Sequence, residues 1–237
     1  MELLQAFKNS LNFITIIPAG KWDEKVSWSK ALALFPAVGL LIGLILALEK
    51  LAITKIAPVV CTATWIAITG AFHLDGLADT FDAMASGRSR DERLNIMKDS
   101  HVGTFGTVAV ATVIASKLWL THQVNICGLI TAPVLGRLAL LEVSRLTPAA
   151  KPQGLGKLVR DNLNNQALIA AHATSILICV LCGLQGMLLY ITANITSRLL
   201  SRLFLKLFGG ITGDTLGAAC ELTETVVLAV ATLLAGP

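Results

Sequence analysis

The stretch ALALFPAVGLLIGLILAL, residues 31–48, contains 18 residues and no charged side chain. A transmembrane helix needs about 17–25 mainly apolar residues to cross the hydrocarbon core of a bilayer, so this stretch predicts a membrane span. Comparable apolar runs follow near residues 56–73, 104–120, 124–144, 167–183, 184–205 and 216–236. The sequence therefore predicts an all-α, polytopic membrane bundle with about seven transmembrane helices.

The composition supports a membrane protein without a soluble second domain. Hydrophobic residues make up 54% of the 237 residues, charged residues make up 14%, and the mean hydropathy is +0.72. Soluble domains carry about 25% charged residues. We expect one membrane-embedded domain over residues 1–237, with an amphipathic interfacial segment at 1–30 and a long polar loop at 74–103. The mixed segment before the first span does not resemble a cleavable signal peptide.

The distribution of basic residues predicts the orientation of the chain. If the N-terminus is cytoplasmic, 15 of the 19 Lys and Arg residues fall on the cytoplasmic side. The opposite side then holds only Lys50, Lys55 and Lys117, and Arg137 lies inside a span. Cytoplasmic loops of membrane proteins carry such an excess of basic residues. The net charge of +4 follows from this bias, and we expect no nucleic-acid partner.

Three carboxylates occur in the run HLDGLADTFD, residues 73–82, directly after an apolar stretch. At 100° per residue, a helix would place Asp75, Asp79 and Asp82 on one narrow face. Two such charges about 6 Å apart repel by about 3 kcal/mol at an effective dielectric constant near 20. A divalent cation would relieve that repulsion, and oxygen ligands suit Mg²⁺ or Mn²⁺. The alternative is ordinary acidic capping of a helix start.

Two further features lie close to this triplet in the sequence. His73 is compatible with a satisfied interfacial histidine and equally with a proton-transfer residue. The glycine-containing run KDSHVGTFG, residues 98–106, precedes the third span, and helix starts of this kind bind anions. With the basic residues Arg88, Arg90, Arg93 and Lys98 nearby, the run predicts a phosphate site. An ordinary helix entry with solvated basic residues is the alternative.

A second acidic cluster follows the run GGITGDTLG, residues 209–217. Asp214, Glu221 and Glu224 would share one face of a helix. Together with the first triplet they suggest one site built from two helices. Arg137 and Glu142 lie inside a span and need partners, either each other or the acidic clusters. Metal carboxylates beside basic residues at one interface favour phosphoryl transfer between amphiphilic molecules.

These motifs resemble those of a known family. The runs at residues 73–82, 96–103, 132–137, 154–156 and 209–219 occur in order along nearly the whole chain and resemble the cobalamin synthase family. Its members are also called adenosylcobinamide-GDP ribazoletransferases. One departure is Ala83, where the family pattern leads us to expect glycine after the third aspartate.

The resemblance implies the last assembly step of the nucleotide loop of vitamin B12. Adenosylcobinamide-GDP would react with α-ribazole or its 5′-phosphate, GMP would leave, and the family uses Mg²⁺. We expect a multi-pass protein of the bacterial inner membrane, and the distribution of basic residues predicts that the acidic face at Asp75–Asp82 opens toward the cytoplasm. Its oligomeric state stays open, and a homo-oligomer is one of the partners considered.

The resemblance makes individual positions candidates, and charge and spacing suggest their roles. Asp75, Asp79 and Asp82, completed by Asp214, would hold the metal. Asp82 or His73 would accept the proton of the attacking ribose hydroxyl. The residues expected to bind substrate are Arg88, Arg93, Lys98, Asp99, Ser100, Gly103, Arg137, Gly154, Gly156, Gly213, Glu221 and Glu224.

Two other functions were weighed against this one. A CDP-alcohol phosphotransferase of lipid synthesis also uses an acidic motif near the interface, but its longer spacing is absent here. An ion-coupled transporter would carry acids near the bilayer centre, on broken helices of two related halves. Here the acids cluster at one side, and the sequence has no internal repeat.

Overall fold

The computed structural model describes residues 1–53, 56–87, 89–99 and 101–235. Every regular element within these ranges is an α-helix, which confirms the predicted all-α membrane protein. The helices, in chain order, are α1 (Glu2–Ile14), α2 (Trp28–Ala33), α3 (Phe35–Ala52), α4 (Ala57–Thr69), α5 (Phe72–Ala85), α6 (Arg90–Ile96), α7 (Thr104–Gln123), α8 (Ile126–Leu146), α9 (Leu155–Asn162), α10 (Asn165–Leu181), α11 (Gly183–Phe208) and α12 (Gly213–Ala235).

Four segments within the described ranges are long and apolar enough to cross a membrane singly, namely the consecutive α2 and α3, α7, α8 and α12. Two bent pairs raise the number to six: α4 with α5 at 86°, and α9 with α10 at 93°. The predicted span at 184–205 falls in α11, which has 26 residues but is not among these candidates. The count of seven and the cytoplasmic N-terminus therefore stay predictions.

Helix α8 lies at the centre of the bundle, packed by α3, α11 and α12. Its contact with α3 is a contact between backbones. A Cβ atom added at Gly39 would lie 2.5 Å from the carbonyl oxygen of Pro133, and one at Gly43 would lie 2.6 Å from that of Ile130. Small residues permit this approach, which drives helix association in membranes, where lipid is as apolar as the side chains.

A sharp corner separates α4 from α5. Gly70 has φ 59° and Ala71 has φ 57°, so two consecutive residues adopt the left-handed conformation. Their N–H groups donate to the carbonyls of Ala67 and Ile66 and close the last turn of α4. Glycine just after the last helical residue is a common helix terminator. The span predicted at 56–73 is therefore not one continuous helix, because the chain turns between α4 and α5.

The segment predicted as a loop, 74–103, is largely helical. Its first part continues α5 to Ala85, and α6 occupies Arg90–Ile96 with Ser89 and Glu92 forming a capping box. Reciprocal hydrogen bonds of this kind satisfy the free N–H groups of a helix start. The prediction of a long loop is therefore wrong for most of this segment, because α5 and α6 occupy it with only short connections between helices.

Helix α1 packs against the start of α2. The Asn9 side chain donates to the carbonyl of Asp23 at 2.9 Å and accepts from its N–H at 3.0 Å. Leu11 and Ile14 are buried, whereas Leu3 and Leu4 are exposed. Exposed leucines at the free end suit the interfacial position predicted for residues 1–30.

Candidate active site

Helices α5 and α12 meet at two glycines. A Cβ atom at Gly76 would lie 2.7 Å from the carbonyl oxygen of Asp214, and one at Gly217 would lie 3.2 Å from Cα of His73. The backbones therefore touch where the first acidic segment passes the N-terminal end of α12. The structure brings the two acidic segments together, as the sequence predicts for a site built from two helices.

Four carboxylates act on one another at this crossing. Asp79 is half-buried and is repelled by Asp214, Asp75 and Asp82, in that order, while Lys151 attracts it. Asp214 is also half-buried and Asp75 is exposed. Within the described ranges, no three His, Cys, Asp or Glu side chains are arranged to hold a metal ion unaided. The magnesium site therefore stays a prediction.

Asp82 is held by the start of α7. One carboxylate oxygen accepts the N–H of Gly103 at 2.7 Å, and the other accepts the N–H of Gly106 at 2.8 Å. A Cβ atom at Gly103 would lie 2.5 Å from the Asp82 carboxylate, and one at Gly106 would collide with it. The glycine-containing helix start predicted to bind phosphate therefore binds a carboxylate of the chain itself, with the favourable dipole of a helix N-terminus.

The basic residues predicted to bind phosphate are dispersed. The Arg93 guanidinium donates to the carbonyl of Leu207 at 3.2 Å, at the C-terminal end of α11. Arg90 donates to the carbonyl of Ala150 at 3.3 Å, and exposed Lys98 lies 3.3 Å from the Asn95 amide oxygen. Arg93 therefore caps a helix end, whereas Lys98 faces solvent.

The other predicted residues of this segment lie at its surface or outside the described residues. The His101 ring hydrogen-bonds the Asp99 carboxylate at 2.6 Å and thereby lowers the pKa of that carboxyl below its usual value. Both side chains are exposed. Arg88 and Ser100 lie outside the described residues.

The loop after α8 packs onto the turn before α12. The Ala150 N–H donates to the Ile211 carbonyl at 2.8 Å. A Cβ atom at Gly156 would lie 2.9 Å from Cα of Thr212, and one at Gly213 would lie 3.1 Å from Cβ of Leu155. The predicted glycines 154, 156 and 213 thus lie together, around a cavity of about 160 Å³ that Asp214 also lines.

Lys151 is a residue of this loop that the sequence analysis did not single out. It lines the same small cavity and acts electrostatically on both Asp79 and Asp214. Its signal in the sequence was weak, because it was one of several basic residues in a loop rich in proline and glycine. Lys151 supplies positive charge at the border of the acidic site.

A larger cavity of about 460 Å³ opens beside the acidic crossing. Residues of α1, α3, α5, α8, α9 and α12 form its wall. The lining residues are Asn12, Phe13, Ile14, Phe35, Phe72, His73, Asp75, Gly76, Leu140, Leu155, Val159, Gly213, Asp214, Leu216 and Gly217. The wall is mainly apolar, and its titratable side chains, His73, Asp75 and Asp214, come from the crossing of α5 and α12, which forms the polar end of the cavity. A mainly apolar wall with a few polar groups is typical of small-molecule sites.

His73 is buried at the polar end of this cavity. It is 7% exposed, and its Nδ1 atom is buried without a hydrogen-bond partner among the described residues. Buried polar atoms are nearly always hydrogen-bonded in folded proteins. His73 lines the cavity, and its unpartnered Nδ1 atom is an exception to this rule.

A cluster of ion pairs fills the bundle beneath the acidic crossing. Lys117 of α7 donates to Glu221 at 2.7 Å and also to Glu224, which in turn pairs with Arg137 of α8. The Lys117 ammonium also lies 4.2 Å from the centre of the Trp65 ring. The prediction that placed Lys117 on the outer flank is wrong, because this side chain is 3% exposed inside the bundle.

This cluster accounts for three residues that were predicted to bind substrate. Arg137, Glu221 and Glu224 are buried against one another and Lys117. Glu221 follows Asp214 by seven positions in α12, so it lies about 10 Å farther along the helix from the acidic crossing. The cluster holds two cations and two anions, so its net charge is zero and each charged group has a partner. An unpaired charge in the interior of the bundle would cost a large free energy of desolvation.

Glu142, the other acid inside α8, pairs with neither Arg137 nor the acidic site. Its carboxylate lies 3.3 Å from Nε2 of His172, and Nδ1 of that ring lies 2.8 Å from the Tyr190 hydroxyl. This chain of contacts links α8 with α10 and α11. It shows no connection to the cavity beside Asp214.

Comparison with known proteins finds the same family that the sequence motifs resemble. The profile described as cobalamin-5-phosphate synthase matches residues 6–232. A relative named adenosylcobinamide-GDP ribazoletransferase from Stutzerimonas stutzeri is 37% identical over 92% of this chain and 94% of its own. Relatives of the same name are 32% identical in Alkaliphilus oremlandii, over 94% and 95% of the two chains, and 36% identical in Clostridium acetobutylicum, over 92% of each. No solved structure matches.

Proposed function

The chain belongs to the cobalamin-5-phosphate synthase family, and on that basis we propose that it joins adenosylcobinamide-GDP to α-ribazole or to α-ribazole 5′-phosphate. A ribose hydroxyl oxygen attacks the corrinoid-side phosphorus of the diphosphate and forms the new P–O bond. The bond from that phosphorus to the bridging oxygen breaks, and GMP leaves with that oxygen. The hydroxyl proton passes to a base of the protein, and adenosylcobalamin or its 5′-phosphate is released.

The observation that carries this proposal is the crossing of α5 and α12 beside a cavity. Asp75 and Asp214 both line that cavity, and Asp79 faces Asp214 from the next turn of α5. A diphosphate placed there would meet carboxylates from two helices. Phosphoryl transfer depends mainly on positioning and on compensating the charge of the phosphate oxygens.

The carboxylates suit Mg²⁺ as the cofactor. Asp75, Asp79 and Asp214 offer hard oxygen ligands and repel one another when nothing lies between them. Mg²⁺ commonly takes one or two carboxylates, several waters and the phosphates of the substrate, so a complete protein cage is not required. When bound, it would supply charge neutralisation at the diphosphate.

The contacts of Asp82 and His73 favour different roles for the two proton-acceptor candidates. Both oxygens of Asp82 already accept backbone N–H groups, which suits a residue that fixes α5 against α7. His73 lines the cavity, and its Nδ1 atom has no hydrogen-bond partner among the described residues. We therefore assign proton acceptance to His73 and a positioning role to Asp82. We place the site on the cytoplasmic face of the bacterial inner membrane.

Purified protein in lipid vesicles tests this function directly. We expect GMP release that requires adenosylcobinamide-GDP, α-ribazole and Mg²⁺ together, with a corrinoid product of matching yield. Omitting each component in turn provides the controls. GMP release that continues without α-ribazole would show hydrolysis and would contradict the proposed transfer.

A further inference from the structure

Two substrates of very different size must meet at one site, and the larger cavity has room for only one of them. Its volume is about 460 Å³, and pockets of about 300–1,000 Å³ enclose ligands of drug-like size. A nucleoside is of that size. A corrinoid that carries an adenosyl group and GDP is several times larger and cannot enter.

We propose, building on the function above, that this cavity binds the nucleoside acceptor. Its bicyclic aromatic base lies among the phenylalanines of the apolar end, and its ribose points toward Asp75 and Asp214. The corrinoid stays outside and reaches the site only with its diphosphate.

The apolar end of the cavity is built for a flat ring. Phe13 and Phe35 stack with ring centres 5.8 Å apart and planes 23° apart, and Phe13 also meets Trp28 edge to face at 5.2 Å. Packing of this kind fixes the orientation of the rings. Phe35 is almost fully buried, whereas Phe13 is partly exposed and lines the cavity. Because aromatic groups prefer offset-stacked or edge-to-face neighbours, the free surface of Phe13 offers a bicyclic base a specific contact as well as burial.

The polar end is built for a sugar. His73, Asp75 and Asp214 line the cavity where α5 crosses α12. Asn12 also lines the cavity, but its side-chain amide is already bonded to the backbone of Gly20 and Ala19. The side chains left to bind ribose hydroxyls are therefore those at the crossing, and two of them, Asp75 and Asp214, are also the carboxylates proposed to meet the diphosphate.

The orientation follows from these two ends. The hydroxyl that attacks phosphorus belongs to the ribose, so the ribose must lie at the acidic end. The base is then left in the apolar end, formed partly by Phe13 and Ile14 of α1. Helix α1 thus contributes to acceptor binding although it lies far from the acidic motifs in sequence.

Filling the apolar end tests the proposal. Val159 is 3% exposed and lines the cavity, whereas Val180 is 54% exposed on α10. We expect Val159→Phe to raise the Kd of α-ribazole, measured by equilibrium dialysis without corrinoid or Mg²⁺, at least tenfold. The KM for adenosylcobinamide-GDP should change less than twofold. Val180→Phe, the matched control, should change neither.

A second variant covers the case in which Val159→Phe does not fold. Leu155 lines the cavity but is 55% exposed, so Leu155→Trp narrows the cavity without crowding a buried position, and Leu184→Trp, at a 78% exposed site, is its control. We expect Leu155→Trp to weaken α-ribazole binding at least fivefold. It should weaken binding of the analogue with unsubstituted benzimidazole less, because that base is smaller.

Two outcomes would overturn the proposal: unchanged α-ribazole affinity in the folded variants, or an increase in the KM of the corrinoid substrate instead. Its failure is separable from failure of the proposed function. If wild-type protein binds α-ribazole but releases no GMP, the acceptor site is supported and the proposed transfer is contradicted. If wild-type protein turns over but the cavity variants bind α-ribazole as tightly as wild type, the transfer is supported and the acceptor site is contradicted.

Discussion

The carboxylate of Asp82 accepts the backbone N–H of Gly103 at 2.7 Å, across 21 residues of chain. Together with its second bond, to Gly106, this contact fixes the end of α5 on the start of α7. Asp82 thus acts as an N-terminal cap supplied by another helix. Its role in stability can be separated from the role of its neighbour Asp79 in the acidic crossing.

Asp82→Asn should lower stability, because the amide oxygen can accept one N–H while the NH₂ group faces the other. We expect a loss of about 1–2 kcal/mol, the usual range for a lost cap. Thermal unfolding in detergent measures it. Asp91→Asn, on exposed α6, is the control and should change stability by less than about 0.5 kcal/mol. Unchanged unfolding of Asp82→Asn would refute the capping role.

Asp79→Asn should lower turnover without lowering stability, in contrast to Asp82→Asn. It removes one of several carboxylates that repel each other, so stability should stay equal or rise. Turnover should fall about 100-fold or more, the range seen when one electrostatic contact to a transition state is removed. GMP release and thermal unfolding should be measured on the same preparation. Full activity in Asp79→Asn would exclude this carboxylate from the reaction.

Mg²⁺ should stabilise the wild-type protein in the absence of substrate, because a cation between carboxylates binds only the folded chain. At a concentration 100 times the Kd, the gain is about 2.7 kcal/mol. Unfolding temperatures in Mg²⁺ and in EDTA provide the comparison. Asp79→Asn should show a smaller difference. An equal difference in both proteins would place the stabilising cation elsewhere.

Lys117→Met should destabilise the bundle by about 3–5 kcal/mol, the cost of breaking a buried ion pair on one side. Glu221 would lose the ammonium of Lys117, whereas Glu224 would keep Arg137. Adding Glu221→Gln should restore more than half of the loss, as measured by thermal unfolding. Lys206→Met, at an exposed position of α11, is the control. If the double variant is no better than the single one, the two charges are not coupled.

Gly76→Ala should disturb the crossing itself. The new Cβ would lie 2.7 Å from the carbonyl oxygen and 2.9 Å from Cα of Asp214, and backbone atoms cannot move aside as a flexible side chain can. We expect a loss of about 1–3 kcal/mol, typical of overpacking, together with reduced turnover. Gly217→Ala, whose nearest contact is 3.2 Å, should have a smaller effect on both. A larger effect of Gly217→Ala than of Gly76→Ala would show that Gly76 is not the closest contact between the two helices.

The acidic face was predictable because it depends only on helical periodicity. Residues 75, 79 and 82 share a face in any helix, and α5 spans all three. The corner between α4 and α5 could be predicted only in part. Gly70 is a common terminator of helices, but nothing in the sequence marked Ala71 as a second left-handed residue.

The ion cluster was not predictable from local sequence. Lys117 meets partners that lie 104 and 107 residues away along the chain. In the sequence it is a single lysine near the end of an apolar run, which is also the pattern of a residue at the membrane interface. Only the packing of α7 against α12 distinguishes the two cases. The same holds for Asp82, whose carboxylate was expected to contact substrate or metal and instead accepts backbone N–H groups at the start of α7.

The corner at Gly70 also bears on the depth in the bilayer at which the proposed chemistry would take place. Helix α4 has 13 residues, which rise about 20 Å, whereas the hydrocarbon core is about 30 Å thick. If α4 begins at one surface, the chain turns sideways before it reaches the other, and the row of aspartates runs parallel to the membrane at a single depth. A substrate anchored among lipids could then slide its diphosphate along that row without leaving the leaflet, while the water-borne partner would have to descend past the headgroups to meet it.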